Sequence, residues 1–569
     1  MNRRGLLSGL SAAGAGALLS GCQSIGPIAF CPDDPLVSNP MTPLTIDIHT
    51  HVFNGSDLQV NAFLQDVVAP DSEAAKSLGP ILQELAWTLA PSGQAELARL
   101  EQVSAALAAC STGRSISDLV VADGQRQYEA GVSALQTAKR ALSGRPRALR
   151  GERVSPAILQ EIDRLPAKFT DFKRAYRGGN RPRDFAISPR GALDFIIQNF
   201  QYRYVTTFDY LQEYSTGRDR KIDLMVAHLV DYDWPLGQSG GTITSFPDQF
   251  AVMERISILT GGRIHYFAPF CPFREAAFRL GLSTTSSLAL LKEAVRSRGA
   301  IGVKLYPPMG FAPLGNASIE NDGTWTGPVP LDGRLRRADI GRLLDDALSS
   351  LYEWCRAEQI PIMAHTSPTN LASATYAKLL DARWWELALN TYPGLRVNFG
   401  HFGQTNPSES EGSLTRELQF ASLMTAAPGS SGQFAFADSA YFADILSHPA
   451  ALRETLRQVF RRTAGNGNAA LAQRLMYGTD WEMVLIEGTA QRTYLSKFQA
   501  VINELAKDPS LGVTGQLSEN FFGRNAAQFL GLSRSAGSSR SRIEALYAKQ
   551  GVLAPNWMKK VDALPMGSV

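Results

Sequence analysis

Eight short apolar segments recur along the chain with amphipathic stretches between them, and this rhythm limits the folds that the chain can adopt. The segments are TIDIHTH (45–51), IDLMVAHLV (222–230), RIHYFAPF (263–270), AIGVKLY (300–306), IPIMAHT (360–366), LRVNFGHF (395–402), GQFAFAD (432–438) and RLMYGTD (474–480). Intervening runs such as LLDDALSSLYEWCRAEQ (343–359) place apolar residues at helical spacing. Strands that alternate with helices form parallel βαβ units, so eight of them predict an α/β fold, the closed (β/α)₈ TIM barrel.

The interval between the first two segments is too long for one βαβ unit. It contains LGPILQELAWTLA and AELARLEQVSAALAA, whose apolar residues recur at i, i+3, i+4 and i+7. We therefore predict a helical insertion over 61–210, after the first strand. The barrel then comprises 44–60 and 211–532, and 533–569 form a C-terminal extension.

The N-terminal residues have the pattern of an export signal. Arg3 and Arg4 precede an apolar run that is shorter than the ~20 residues needed to span a bilayer. The run ends in Leu-Ser-Gly-Cys, which resembles a bacterial lipobox with Cys22 as the lipidated residue, and the paired arginines resemble a twin-arginine signal. We predict a signal peptide over 1–21, a Pro-rich linker over 22–43, and a periplasmic or outer-membrane lipoprotein of the cell envelope. A plain secretory signal with a chance cysteine is the alternative.

Composition narrows the range of partners. The formal net charge is only +3 and charged residues make up 19% of the chain, so we expect no nucleic-acid partner. The cysteines after Cys22 lack C-x-x-C spacing and predict no zinc knuckle or redox motif. We expect a small-molecule substrate and membrane contact only through the lipid on Cys22. The sequence specifies no oligomeric state.

Ligand-type residues cluster at the ends of the predicted strands. His49 and His51 end the first, His365 the fifth, His401 the sixth and Asp480 the eighth. The carboxyl ends of barrel strands meet at one mouth, and residues i and i+2 of a strand point to the same side. Imidazole with carboxylate suits Zn²⁺, so we predict a divalent metal site, with Mn²⁺ as the alternative ion.

Several of these segments are similar to those of a known superfamily. DIHTH, MAHTSP, NFGHFGQ and YGTDWEM resemble motifs of the amidohydrolase superfamily, and more narrowly of its amidohydrolase-related branch, the second amidohydrolase family. GVKLYPPMGF and the closing FFGRNAAQFLGL add two further blocks. The resemblance covers 45–532 apart from the insertion, and it implies a metal-dependent hydrolase on a TIM barrel. The long insertion and the C-terminal extension depart from the compact members of the branch.

The resemblance, together with chemistry, implies roles for five residues. His49, His51 and His365 would hold the catalytic metal. Asp480 would complete the metal's ligand shell, or hydrogen-bond the attacking water and take its proton. His401 would orient that water, polarise the substrate carbonyl, or bind a second ion.

Lys304, at the end of the fourth segment, has three alternative roles. In binuclear members of the superfamily a lysine at this position is carboxylated and bridges two metals. An unmodified Lys304 would instead contact the substrate carboxylate or the transition state, or form a structural ion pair. The metal count, one or two ions, stays open with it.

Other residues near the strand ends are weaker candidates. Tyr306, Phe311 and Trp481 follow site strands and would line an apolar pocket, Arg274 would pair with an acidic substrate, and Asp438 ends the seventh strand. Packing or a surface ion pair is an equal alternative for each. His228 and His265 lie inside strand segments, and we predict that they are packing residues.

The sequence leaves three functions open. The first is hydrolysis of a C–N or C–O bond in an amide, lactone or ester by metal-activated water, which export favours. The second is metal-dependent non-oxidative decarboxylation of an aromatic or unsaturated acid. The third is a non-catalytic, lipid-anchored binding protein. GQSGG (237–241) matches the serine hydrolase pattern G-x-S-x-G but lies in a Gly/Ser/Thr loop, so we do not predict a serine nucleophile.

Overall fold

The computed structural model describes most of the chain beyond the N-terminal segment. The described residues are 42–63, 73–108, 116–143, 195, 197–215, 219–237, 241–321, 333–336, 339–369, 371–372, 374–403, 415–424, 431–442, 444–463, 471–511, 516–534 and 538–564. The predicted signal peptide, Cys22 and the centre of the G-x-S-x-G segment lie outside them.

Eight parallel strands form the centre of the molecule. They are β1 (Ile46–Thr50), β2 (Leu224–His228), β3 (Ile264–Pro269), β4 (Ala300–Leu305), β5 (Ile362–His365), β6 (Val397–Gly400), β7 (Ala435–Asp438) and β8 (Leu475–Met476). Each strand pairs in parallel with the next, in the order of the sequence. Ile48 N donates to Tyr477 O over 3.1 Å, and a parallel bridge joins Thr50 to Trp481, so β1 also meets the β8 end. The predicted (β/α)₈ barrel is confirmed.

Helices cover the outside of the strands. Those after β2 are Phe246–Leu259, Pro272–Arg279, Ser287–Ser297, Asn316–Asn321, Ile340–Glu358, Ala382–Thr391, Thr415–Met424, Asp444–Ser447, Pro449–Thr463, Tyr494–Leu505, Leu517–Glu519 and Asn525–Leu530. Ile340–Glu358 buries Leu344, Leu348 and Leu351 on one face, as its periodicity predicts. Within the described residues no helix combines the length and the apolar character that a bilayer crossing requires.

The strands bury alternate side chains on opposite sides. In β2, Leu224 and Val226 pack in the cluster at the barrel floor, whereas Met225 and Ala227 pack in the larger cluster that includes the surrounding helices. This alternation follows from the period of two along a strand. His228 lies two residues beyond Val226 and therefore faces the barrel interior.

Helices also occupy the interval between β1 and β2. They are Val60–Phe63, Glu73–Leu89, Gly93–Ala108, Ile116–Ser143 and Arg203–Ser215. Tyr204, Phe208 and Leu211 belong to the same apolar cluster as barrel residues. The last helix is thus packed on the barrel, and the exact domain boundaries stay a prediction.

The C-terminal extension closes the floor of the barrel. Its helices Ser538–Lys549 and Met558–Asp562 pack in the floor cluster with β1 and β2 side chains. The hydrogen bonds that hold it there include Tyr547 Oη to Ser257 O (2.8 Å), Trp557 Nε1 to Gly262 O (2.8 Å) and Lys560 Nζ to Asp223 Oδ1 (2.7 Å). The extension is therefore part of the core.

Replacing the extension's buried tryptophan should destabilise the whole barrel. Trp557 is 1% exposed, and truncating such a side chain costs about 3–5 kcal/mol. We expect Trp557→Ala to lower the free energy of unfolding by that amount in urea titrations. Leu553 is 92% exposed, so Leu553→Ala should change it by less than about 0.5 kcal/mol. Equal effects of the two substitutions would contradict the packing role.

Candidate metal centre

Three predicted metal ligands converge where β1 meets the residues after β8. Their ligand atoms, one each from His49, His51 and Asp480, all lie within 4.8 Å of one another. Asp480 Oδ1 is 3.2 Å from His51 Nε2 and 3.5 Å from His49 Nε2. Asp480 N donates to His49 O over 2.8 Å, which holds the two segments in register.

The other ring nitrogens of both histidines are already engaged. His51 Nδ1 lies 2.9 Å from the carbonyl oxygen of His228, and His49 Nδ1 lies 3.0 Å from Asp438 Oδ2. Both partners accept hydrogen bonds, so each Nδ1 carries the proton and each Nε2 presents a lone pair. Such hydrogen bonds are typical of histidines that bind metals.

This tautomer makes the site fit a divalent cation. A lone pair on His51 Nε2 and a carboxylate oxygen of Asp480 face each other at 3.2 Å, an arrangement that either a proton or a bound cation between them stabilises. Neutral imidazole and carboxylate are ligands that zinc accepts. His49, His51 and Asp480 would therefore hold the ion.

Burial keeps these groups in the protonation states that a metal needs. It lowers the pKa of His49 well below its ordinary value, and Lys304 and His401 lower it further. Burial also lowers the pKa of His51, against the opposing effect of Asp480. For Asp480, burial raises the pKa, but the interaction with His51 and nearby positive charge outweigh it, and the pKa is lowered. No proton has to leave before a cation binds.

His365 and His401 form a neighbouring pair. His401 Nε2 is 3.1 Å from His365 Nδ1, and the His401 ring centroid is 4.7 Å from that of His49. Because His401 Nδ1 donates to Ala440 O (2.9 Å), the proton between the two rings belongs to His365. His365 lies outside the group of three ligands. Its role as a metal ligand stays a prediction.

Asp438 is more central than the sequence indicated. Besides His49 Nδ1, its carboxylate accepts hydrogen bonds from His401 N (2.9 Å), Asn398 Nδ2 (2.7 Å) and Ala440 N (3.0 Å). It thus positions two of the histidines at once. Its location at the end of a barrel strand was the available signal, but its partners are set by tertiary contacts.

His228 also contributes more than packing. The structure ends β2 at this residue, so its carbonyl lies at the mouth and orients His51. Its ring is buried, 5.0 Å from the ring of His49, and its Nε2 donates to Ile48 O over 2.8 Å. His265 is buried at the other end of its strand, with Nδ1 3.0 Å from Gly299 O, as expected of a packing residue.

Lys304 is buried beside the three ligands. Its Nζ lies 3.5 Å from His49 Nε2 and 3.0 Å from Met363 Sδ. Burial lowers its pKa to about 7, against the opposing effect of Asp480 and Asp438, so the neutral amine is populated at neutral pH. None of the ion pairs among the described residues includes Lys304, which weakens the ion-pair alternative.

The backbone is strained at two places in the centre, at residues 401–402 and at Asp480. His401, Phe402 and Asp480 have φ values of 62°, 50° and 63°. Residues with a Cβ pay roughly 1–2 kcal/mol in this left-handed region. Strain of this kind clusters at functional sites, where surrounding contacts hold it.

The weaker candidates have different surroundings. Tyr306 and Phe311 line a cavity together with Lys304. Trp481 does not line it: its ring lies 5.5 Å from that of Tyr210 and 6.0 Å from that of Tyr214, at 2% exposure.

Arg274 is bound within the chain. Its guanidinium donates to both oxygens of Asp231, at 2.6 and 2.9 Å, and to Asp233 Oδ2 at 2.6 Å. These carboxylates engage Nε and Nη2 of the guanidinium, so the ion-pair alternative describes this arginine.

One protein family is similar to part of the chain. A family model described as Amidohydrolase matches residues 272–532, which include Lys304, His365, His401 and Asp480. The chain is therefore similar to this family over slightly less than half of its length. No curated protein matches the chain.

Two solved structures are similar over part of their length. An uncharacterized TIM-barrel protein from Bordetella bronchiseptica has 15% identity and a TM-score of 0.31, over 61% of this chain and 82% of its own. A candidate metal-dependent hydrolase from Lactobacillus casei ATCC 334 has the same identity and TM-score, over 49% of this chain and 68% of its own.

Removing the Asp438 charge should weaken metal binding. Loss of a partner that orients a metal-binding histidine costs about 10–100-fold in affinity. We expect Asp438→Asn to raise the Kd for Zn²⁺ by that factor in competition with a chromophoric chelator. Asp444→Asn, outside the centre, is the matched control and should leave the Kd unchanged. An unchanged Kd in Asp438→Asn would refute the orienting role.

Proposed function

We propose that the protein is a metal-dependent hydrolase that uses activated water to cleave a C–N or C–O bond in a small amide, lactone or ester. The observation that carries the proposal is the convergence of one ligand atom each from His49, His51 and Asp480 within 4.8 Å of one another, all of them buried. The family match over 272–532 supports the same class.

The residues of the site divide the remaining work. A bound divalent ion supplies Lewis acidity, which lowers the pKa of water toward neutrality. Asp480, ionised because its pKa is lowered, accepts the proton of the attacking water and passes it to the leaving group. Asp438 holds His49 in the tautomer that exposes Nε2. Lys304 contacts the substrate oxygen.

Turnover should depend on the first histidine of the H-x-H pair. We expect His49→Ala to lose bound metal and to lower kcat/KM by more than the ~100-fold upper bound for an orienting residue. The assay is a panel of amides, lactones and esters with Zn²⁺- or Mn²⁺-loaded protein. His448→Ala, an exposed histidine outside the site, should retain both metal and activity.

Two outcomes would overturn the hydrolase. Release of CO₂ from an aromatic or unsaturated acid, without ¹⁸O from labelled water in the product, would establish the decarboxylase instead. A protein that purifies without metal, and whose ligand binding is unaffected by His49→Ala, would be the binding protein.

We also propose export and lipidation at Cys22, on the evidence of the Leu-Ser-Gly-Cys sequence after the apolar run. In a bacterial host the protein should incorporate labelled palmitate and enter the detergent phase. Cys22→Ala should abolish both, whereas Cys31→Ala should abolish neither. Label that persists in Cys22→Ala would exclude the lipobox.

A further inference from the structure

A small cavity lies between the carboxyl ends of β2, β3 and β4, beside the metal centre. Val230 lines it after β2, Phe270 after β3, and Tyr306, Met309 and Phe311 after β4.

Two residues connect this cavity to the centre. Lys304 also lines it, and its Nζ lies 3.5 Å from His49 Nε2. The Tyr306 ring is 4.7 Å from the ring of His365. A substrate that reacts at the centre can therefore place one substituent in the cavity.

The chemistry of the walls favours an uncharged, apolar substituent. The one carboxylate that lines the cavity, Asp231, is held by Arg274 through two hydrogen bonds of 2.6 and 2.9 Å. Burial raises the pKa of the Cys271 thiol well above its ordinary value, so this group is neutral. Phe270, Met309 and Phe311 supply apolar surface.

The size of the cavity limits the length of that substituent. About 10 Å³ is open to the centre of a water molecule, which is room for roughly one water. Met309, which is 1% exposed, forms part of its wall. Its backbone turn, Pro307–Met309, ends at Gly310, where φ is 113° and a Cβ would lie 2.5 Å from the Tyr376 ring. The position of Met309 is therefore constrained.

We propose that this cavity is the substrate-specificity subsite, which takes a short apolar acyl substituent and whose length limit Met309 sets. This inference rests on the proposed hydrolase function and adds its substrate class: derivatives of short aliphatic acids. One methylene in an apolar pocket changes kcat/KM by about 10–200-fold. Replacing one side chain that lines the cavity should therefore change kcat/KM by a measurable factor.

The test compares acetyl, propionyl, butyryl and hexanoyl esters and amides of one leaving group. We expect the native protein to prefer acetyl and propionyl, and Met309→Ala to raise the hexanoyl-to-acetyl ratio of kcat/KM by at least about tenfold. Val230→Ile, which fills the same cavity, should shift the ratio the other way. A ratio is insensitive to the fraction of folded protein.

Met558→Ala provides the matched control, since Met558 is 3% exposed at the opposite end of the barrel. It should leave the ratio unchanged. Calorimetric titration of metal-free protein with acetate, butyrate and hexanoate gives a second readout, in which Met309→Ala should favour hexanoate.

The outcomes separate the two proposals. If the native protein turns over no member of the series but the carboxylates bind with the expected order, the hydrolase fails and the subsite stands. If turnover occurs but Met309→Ala and Met558→Ala give the same ratio as the native protein, the subsite is refuted.

Discussion

The contact between β1 and the end of β8 is the constraint on which the site depends. Buried Asp47 accepts hydrogen bonds from Thr479 N (3.1 Å) and Thr479 Oγ1 (2.7 Å), and from Tyr210 Oη (2.6 Å). It joins β1, the turn before Asp480 and the last helix of the insertion. This junction brings the H-x-H pair and Asp480, which are far apart in the sequence, close together.

The insertion supports the same junction from outside. Arg203, fully buried, contacts Asp57 and donates to Glu96 Oε1 at 2.5 Å. Asn199 Nδ2 lies 3.4 Å from Oε2 of Glu482, which is two residues beyond Asp480. Removing one partner of a buried ion pair strongly destabilises the folded protein. These contacts therefore hold the insertion in place beside the segments that carry His49, His51 and Asp480.

Sequence periodicity was sufficient to predict the barrel, because strands and helices each have a characteristic spacing of apolar residues. Position at a strand end was sufficient to predict that His49, His51 and Asp480 lie close together. The roles of Asp438 and His228 could not be derived in this way, because each acts through partners that tertiary packing supplies. Trp481 follows a site strand as Tyr306 does, yet the insertion's tyrosines cover it. The proton between His365 and His401 depends on Ala440 O, which no local pattern specifies.

The floor of the barrel has a consequence for the order of folding. Side chains of β1 and β2 share an apolar cluster there with Trp557 and Val561, which are synthesised long after the first strands. The contact between β1 and the end of β8 likewise requires Tyr477, whose carbonyl oxygen accepts a hydrogen bond from Ile48 N. The floor of the barrel therefore cannot be sealed before Trp557 and Val561 have left the ribosome. Until release, the first strands need another means of shielding their apolar surface from water.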